Sequence, residues 1–65
     1  AGTEDLEHLV DEARRWLAPG GALVLELAPT QAPVLADRAG SAGYRDVRVE
    51  QDLAGLDRVL VARHG

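Results

Sequence analysis

The stretch over residues 22–28, Ala-Leu-Val-Leu-Glu-Leu-Ala, constrains the fold of this chain more than any other feature. It is short, rich in branched apolar residues and flanked by Pro19-Gly20-Gly21 and Pro29, so it is predicted to be a strand. Polarity does not alternate along it, and Glu26 is its single charged residue. Such strands are typical of parallel sheets covered on both faces. A chain of 65 residues has a thin core, so this strand is predicted to be an inner strand of a larger sheet.

Helices are predicted on both sides of this strand. Thr3 can cap the first helix, and Pro19-Gly20-Gly21 ends it. Asp11 and Arg15 are expected to form an exposed ion pair on that helix. Its apolar stripe comprises Leu6, Leu9, Val10, Ala13, Trp16 and Leu17. The second helix begins near Thr30 and Pro33, ends at Gly43, and turns Val34, Leu35, Ala39 and Ala42 toward the core.

Two further strands complete the chain. Residues 46–52 alternate in polarity, which predicts a strand with one exposed face. A turn around Gly55 follows, and the apolar run over 58–63 predicts a strand covered on both sides. The predicted order is helix, strand, helix, strand, strand. The predicted fold class is α/β, with a three-stranded mixed sheet in the order first–third–second and the last strand antiparallel.

Composition excludes several function classes. The net charge is −4 and the pI is about 4.9, which disfavours binding to nucleic-acid phosphates. Trp16 and Tyr44 are the only aromatic residues, so a base-stacking platform is not expected. The chain has no cysteine and no apolar run of membrane-spanning length, and we expect no signal peptide and a cytoplasmic location.

The segment Trp-Leu-Ala-Pro-Gly-Gly-Ala-Leu-Val-Leu-Glu resembles the Leu-x-Pro-Gly-Gly segment of Rossmann-like methyltransferases that use S-adenosylmethionine. The predicted topology is similar to the C-terminal third of that fold. More narrowly, the chain resembles the end of the HemK-type family, which methylates the glutamine of the Gly-Gly-Gln motif in peptide-chain release factors. Ala28 stands where that family usually has glycine. The matching positions are Leu25-Glu26, Gln31, Ala42-Gly43-Tyr44, Asp52-Leu53, Gly55 and Arg58.

The resemblance also implies what this chain does not contain. The family's glycine-rich cofactor loop and its Asn-Pro-Pro-Tyr motif have no counterpart among the 65 residues, which include no asparagine. Residues 1–65 are therefore expected to be a single C-terminal subdomain or fragment of a methyltransferase. Its partners would be the rest of that domain and, for the parent enzyme, a release factor. The parent would use S-adenosylmethionine, whereas no cofactor, methyl transfer or catalytic residue is expected for residues 1–65 alone.

Two residues are candidates for the substrate side of the parent's site. Glu26 can face a cleft at the carboxyl end of the sheet, or it can bond to a neighbouring loop or lie exposed. Gln31 can contact the absent catalytic loop or form a hydrogen bond at the helix start. The Gly20-Gly21 pair precedes a strand, so it is predicted to be a turn and not a phosphate loop.

The remaining polar residues are interpreted structurally. His8 and Glu12 share a helix face and could in principle bind zinc with His64, but His8 lies on the polar side of the helix and His64 near the end of the chain, so no metal site is predicted. Asp52, Asp57 and Arg58 flank the last turn, and we expect them to form an ion pair or a hydrogen bond within that turn.

A different class of function remains open. The chain can be a freestanding, non-catalytic α/β module that pairs with a partner through an exposed strand edge. In either case the strand over residues 22–28 is expected to leave an apolar edge that promotes self-association.

Overall fold

The computed structural model describes residues 2–65 of the chain. Helix α1 spans Thr3–Ala13 and strand β1 spans Ala22–Glu26. A single turn of 3-10 helix over Pro29–Gln31 leads directly into helix α2, Ala32–Ser41. Strands β2 and β3, Arg45–Gln51 and Asp57–Arg63, form a hairpin. The element order is the predicted one. The first strand ends two residues before its predicted end at residue 28, and β2 lies one residue earlier than predicted.

The three strands form one sheet in the order β1-β3-β2, which confirms the predicted topology. Strand β3 lies in the middle and runs antiparallel to both neighbours, so β1 and β2 run in the same direction. Leu60 of β3 is opposite Leu25 on one side and Val49 on the other. The hairpin therefore returns its apolar strand to the centre and leaves the alternating strand at the edge.

The helices cover one face of this sheet. Leu35 of α2 and Leu60 of β3 are fully buried, and Val10 of α1 is buried with them. These three side chains anchor a single core. The other members of the core are Leu25, Leu27, Ala32, Ala39, Tyr44 and Ala62. Each buried residue removes apolar surface from water, which is the main favourable term in folding so small a chain.

The opposite face of the sheet is open within residues 2–65. In β1, Leu25 is buried, whereas Ala22, Val24 and Glu26 are exposed, and Val24 keeps 62% of its surface accessible. Val59 and Val61 of β3 are only half-buried on the same face. The predicted cover on both faces is therefore wrong for the described residues. The apolar pattern is present, but only one of its two faces meets a helix.

Helix α1 is shorter than its apolar stripe predicts. The amides of Arg15 and Trp16 donate to the carbonyls of Glu12 and Ala13, each at 3.0 Å, which tightens the chain into a turn after Ala13. This tightening turns Trp16 away from the core face, whereas Leu17 still packs against the core. The side chain of Trp16 is 73% exposed, so its predicted place in the core is wrong.

Long-range polar contacts join α1 to the rest of the fold. The Tyr44 hydroxyl donates to the Val10 carbonyl at 2.6 Å in a buried position. The Arg38 Nε donates to Asp11 at 3.0 Å. Asp11 therefore pairs with Arg38 across the two helices. The predicted pair of Asp11 with Arg15 is wrong, and Arg15 lies 3.4 Å from Glu12 instead. In α2, Val34 is 46% exposed, contrary to its predicted core position, because it lies outside the buried face of the helix, which includes Leu35.

The two edges of the sheet differ in character. Strand β2 carries the charged residues Arg45, Asp46, Arg48 and Glu50, and its register shifts near Asp46, which has a φ of +49°. Bulges and charges of this kind protect an edge from pairing with another strand. Strand β1 has the sequence Ala-Leu-Val-Leu-Glu and pairs over all five residues with β3 without a shift.

The backbone of β1 has a defined free side. The Leu27 amide donates to the Arg58 carbonyl at 2.9 Å, and the His64 amide donates to the Gly21 carbonyl at 2.7 Å. Since bonding alternates along an antiparallel ladder, Leu23 and Leu25 also direct their backbone groups at β3. The N–H and C=O groups of Ala22, Val24 and Glu26 consequently point to the free edge.

No helix among residues 2–65 is long and apolar enough to cross a membrane.

Candidate functional site

The candidate site is the edge of the sheet where β1 and β2 end, referred to below as the carboxyl edge. Three features meet there: the end of β1 at Glu26, the turn over residues 27–31, and the hairpin turn over residues 52–56. Ligands of open α/β sheets bind outside the carboxyl ends of parallel strands. The geometry of these features therefore decides what this edge can do.

Gln31 fastens the turn that follows β1. Its side-chain oxygen accepts a hydrogen bond from the Ala28 amide at 2.9 Å, and its backbone amide donates to the Ala28 carbonyl, also at 2.9 Å. Its side-chain Nε2 donates to the Thr3 hydroxyl at 3.1 Å. The helix-start hydrogen bond considered from the sequence is therefore present. Contrary to prediction, Thr3 is the first residue of α1 and not its cap, since Gly2 takes the cap position, and the Thr3 hydroxyl accepts from Gln31 instead.

Glu26 is exposed at the last position of β1. Its neighbour Leu25 faces the core, so the Glu26 side chain lies on the open face of the sheet, opposite Val59. Within residues 2–65 the Glu26 carboxylate forms no ion pair, and it accepts no side-chain hydrogen bond like those that hold Gln31. Glu26 is thus exposed within residues 2–65, and its role beside a cleft stays a prediction. The structure does not bring the Glu26 and Gln31 side chains into a shared hydrogen bond.

Ala28 adopts an extended backbone, with φ −82° and ψ 149°. Alanine takes these angles without strain, so the departure from the glycine of HemK-type enzymes imposes no conformational penalty here.

The hairpin turn is organised by one carboxylate. Asp52 accepts hydrogen bonds from the amides of Ala54 and Leu56 at 2.9 and 3.0 Å, and from the Arg58 Nε at 3.0 Å. These bonds, chiefly that from the Leu56 amide, lower the pKa of Asp52 below its usual value. The ion pair predicted at this turn is present between Asp52 and Arg58. Asp57 instead accepts from the Gln51 side chain at 3.1 Å.

Sequence reasoning missed the apolar surface of this same turn. Leu53, Ala54, Gly55 and Leu56 are all exposed, and Leu53 is completely accessible. The signal was available: hairpin turns favour Gly, Pro, Asn, Asp and Ser, whereas this one has two leucines.

The Pro-Gly-Gly segment lies at the other end of β1, away from the carboxyl edge. The Gly20 amide donates to the His64 carbonyl at 2.7 Å and the Gly21 amide to the Ala18 carbonyl at 2.8 Å. Gly20 has a φ of +85°, and a side chain at Gly21 would lie 3.0 Å from the Ala18 carbonyl. The two glycines thus form a backbone turn, as predicted, in which Gly20 adopts a conformation that favours glycine and the Gly21 position is tight. The Gly21 amide bonds within the turn, and the Gly20 amide bonds to the chain after β3.

The two histidines lie apart. His8 Nε2 is 3.6 Å from Glu12 on the exposed side of α1, whereas His64 follows β3. No group of three or more histidine, cysteine or carboxylate side chains with metal-binding geometry occurs in residues 2–65. A shallow groove of about 450 Å³ lies on the outer surface of the helices. Its lining residues are Glu7, Pro33, Val34, Asp37, Arg38 and Ser41.

Comparison with known proteins gives a consistent set of relatives. The chain is 45% identical over 62 residues to the release factor glutamine methyltransferase of Deinococcus radiodurans, covering 95% of this chain and 22% of that protein. It is 38% identical over 64 residues to the enzyme of the same name from Coxiella burnetii, covering 98% and 23%. The corresponding protein of Synechocystis is 33% identical over 63 residues, covering 95% and 21%.

These matches confirm the resemblance to HemK-type release factor glutamine methyltransferases. The chain spans about a fifth of the length of the relatives it matches. No protein-family model matches the chain, and no solved structure matches it significantly.

Proposed function

We propose that this chain, which matches release factor glutamine methyltransferases along nearly its whole length, is the C-terminal portion of such an enzyme. In that role residues 1–65 form one subdomain of a Rossmann-like domain. They extend its sheet and brace the cleft in which a release factor glutamine is methylated. The chemistry belongs to the rest of the enzyme, and residues 1–65 contribute structure.

The observation that carries this proposal is the contrast between the two sheet edges. Strand β2 has a bulge and four charged side chains, whereas β1 is apolar, regular and free on one side. Proteins generally protect their edges, so an unprotected apolar edge is expected to pair with a further strand. The open face around Val24 also requires cover. A larger sheet that continues beyond β1 satisfies both requirements.

S-adenosylmethionine supplies the methyl group in the proposed parent, but residues 2–65 do not fit it. A cofactor of this size occupies a concave, largely preformed pocket. The turn after β1 carries no glycine, and its amides at Ala28 and Gln31 are already bonded. The groove on the helices is shallow and is lined by residues of α1 and α2 alone. We therefore expect no measurable cofactor binding by the chain alone.

Glu26 and Gln31 keep distinct roles in this proposal. Glu26 projects its carboxylate from the end of β1, where it can meet the substrate or a catalytic loop. Gln31 holds the turn that positions Glu26, and the Gln31 side chain ties this turn to Thr3. The proposed partners are the remainder of the domain and a release factor in the cytoplasm, with neither nucleic acid nor membrane bound directly.

A chimera tests this function. The 62 residues of the Deinococcus radiodurans enzyme that match this chain are replaced by this chain, and methyl transfer to a release factor is measured. The control is the same enzyme with that segment deleted. We expect the chimera to fold and methylate glutamine, and the deletion variant to be inactive. A folded chimera with no more activity than the deletion variant would contradict the proposal.

A second candidate is a freestanding module that pairs with a protein through the β1 edge, which the same free edge supports. It predicts that the chain binds a partner unrelated to methyltransferases and that the chimera is inactive.

A further inference from the structure

The hairpin turn over residues 52–56 presents an apolar tip to solvent. Leu53 is fully exposed, Leu56 is 45% exposed, and Ala54 and Gly55 between them are also exposed. A run of four exposed residues without a polar side chain is unusual on a small protein unless it serves a function. Transfer of such a surface into a partner's pocket is favourable because it removes apolar area from water.

The tip is held by several hydrogen bonds although it is exposed. The Asp52 carboxylate accepts from two amides of the turn and from Arg58. The Asp52 amide donates to the Leu56 carbonyl at 2.9 Å, and the Gly55 amide donates to the Asp52 carbonyl at 3.0 Å. Gly55 supplies the positive φ of +82° that closes the turn. A surface already held in one conformation loses little entropy when it binds.

The position of the tip indicates its partner. Val59 lies opposite Glu26, and the tip begins beyond Asp57, so it projects past the end of β1 at the carboxyl edge. Reacting groups of a substrate meet an open α/β sheet at this edge. A protein substrate that offers a glutamine there would extend over the neighbouring hairpin.

We propose that Leu53 is a positioning residue that docks into an apolar pocket on the protein methyl acceptor. This inference rests on the proposed function, and it names the release factor as the occupant. The turn then acts as a fixed anchor beside the cleft, with Leu53 at its centre and Leu56 at its rim. Asp52 keeps the anchor in shape and does not itself contact the acceptor.

The test uses the chimera described above. Leu53→Ala is expected to raise the KM for the release factor about tenfold with kcat unchanged, since it removes binding common to ground and transition states. Val34→Ala, which truncates an exposed apolar side chain on α2, is the matched control and should leave both constants unchanged. An unchanged KM for Leu53→Ala would overturn the inference. A loss of chimera stability in place of the KM effect would also overturn it, because Leu53 would then pack inside the enzyme.

A second measurement separates this inference from the function on which it rests. The isolated, isotope-labelled chain is titrated with a release factor and its amide resonances are followed by NMR. Shifts centred on residues 52–56 that are lost in Leu53→Ala support the docking site even if the chimera is inactive. If the chimera is active but the resonances of the isolated chain shift elsewhere or not at all, the proposed function is supported. The docking role of Leu53 is then contradicted.

Discussion

At the scale of single residues, Tyr44 shows how much of this fold depends on contacts distant in sequence. Its ring lies in the core and its hydroxyl donates to the Val10 carbonyl, which ties α1 to the start of β2. Burial raises the pKa of Tyr44 above its ordinary value. The neutral phenol is therefore favoured in the folded state, and its contribution to stability is fully present below the ordinary tyrosine pKa and is lost as the pH rises through the raised value.

Tyr44→Phe is expected to lower the free energy of unfolding by about 1 kcal/mol, because the ring remains packed but the Val10 carbonyl loses its donor. For a domain of this size that corresponds to a fall in Tm of roughly 4–8 °C. Circular dichroism during heating measures it. Equal Tm values for the two proteins at neutral pH would show that the hydrogen bond contributes nothing.

Asp52 makes a prediction about acid. Hydrogen bonds from Leu56, Arg58 and Ala54 lower its pKa, so its contribution to stability is present above the ordinary aspartate pKa and is lost as the pH falls through the lowered value. Titration of the Asp52 carboxyl group by NMR should give a midpoint below about 3.9. The Leu56 amide should lose its protection from exchange as Asp52 is protonated. A midpoint at or above the ordinary value would contradict this account of the turn.

Single residues also mark the limits of prediction from sequence. Helical spacing placed Trp16 in the core, but the turn after Ala13 directs it to solvent. Likewise, the spacing of Asp11 and Arg15 suggested a local pair, whereas Arg38 on the other helix is the partner. The two errors have different causes: periodicity does not show where a helix ends, and it does not show which neighbour the helix meets.

At the scale of elements, the strands were easier to predict than their surroundings. Alternation in β2 and continuous apolar runs in β1 and β3 reflect local polarity, so their order and the central place of β3 followed from the sequence. The bulge at Asp46 and the contact of Gln31 with Thr3 depend on register and packing across the fold, and no local pattern encodes them.

The free edge of β1 leads to a prediction about assembly. Because Ala22, Val24 and Glu26 leave backbone groups unpaired within residues 2–65, the isolated chain should self-associate at millimolar concentration through this edge. Val24→Lys places a charge in the middle of the edge strand and should shift the chain toward monomer. Val34→Lys adds the same charge on α2 and serves as the control. Analytical ultracentrifugation showing a clean monomer for the unsubstituted chain would rule out this association.

At the scale of the whole molecule, the chain is a sheet that helices cover on one face only. Both helices lie on one face, one edge is protected and the other is not. The proposed continuation of the sheet beyond β1 accounts for this asymmetry, since β1 has the composition of an inner strand although it lies at the edge here. Glu26, Gln31 and the hairpin tip lie along one edge, and the sequence indicated the first two by their place at the end of the first strand and by the resemblance.

The central claim is that the sheet continues beyond β1 in a larger enzyme. Amide hydrogen exchange of Val24 tests it most directly, because that amide points to the free edge, while the Leu25 amide bonds to β3 and serves as an internal control. We predict that in the isolated chain, at concentrations where it is monomeric, Val24 exchanges rapidly and Leu25 slowly. In the chimera with the Deinococcus radiodurans enzyme, Val24 should become protected by on the order of 100-fold or more. An unprotected Val24 amide in a folded chimera would contradict the claim.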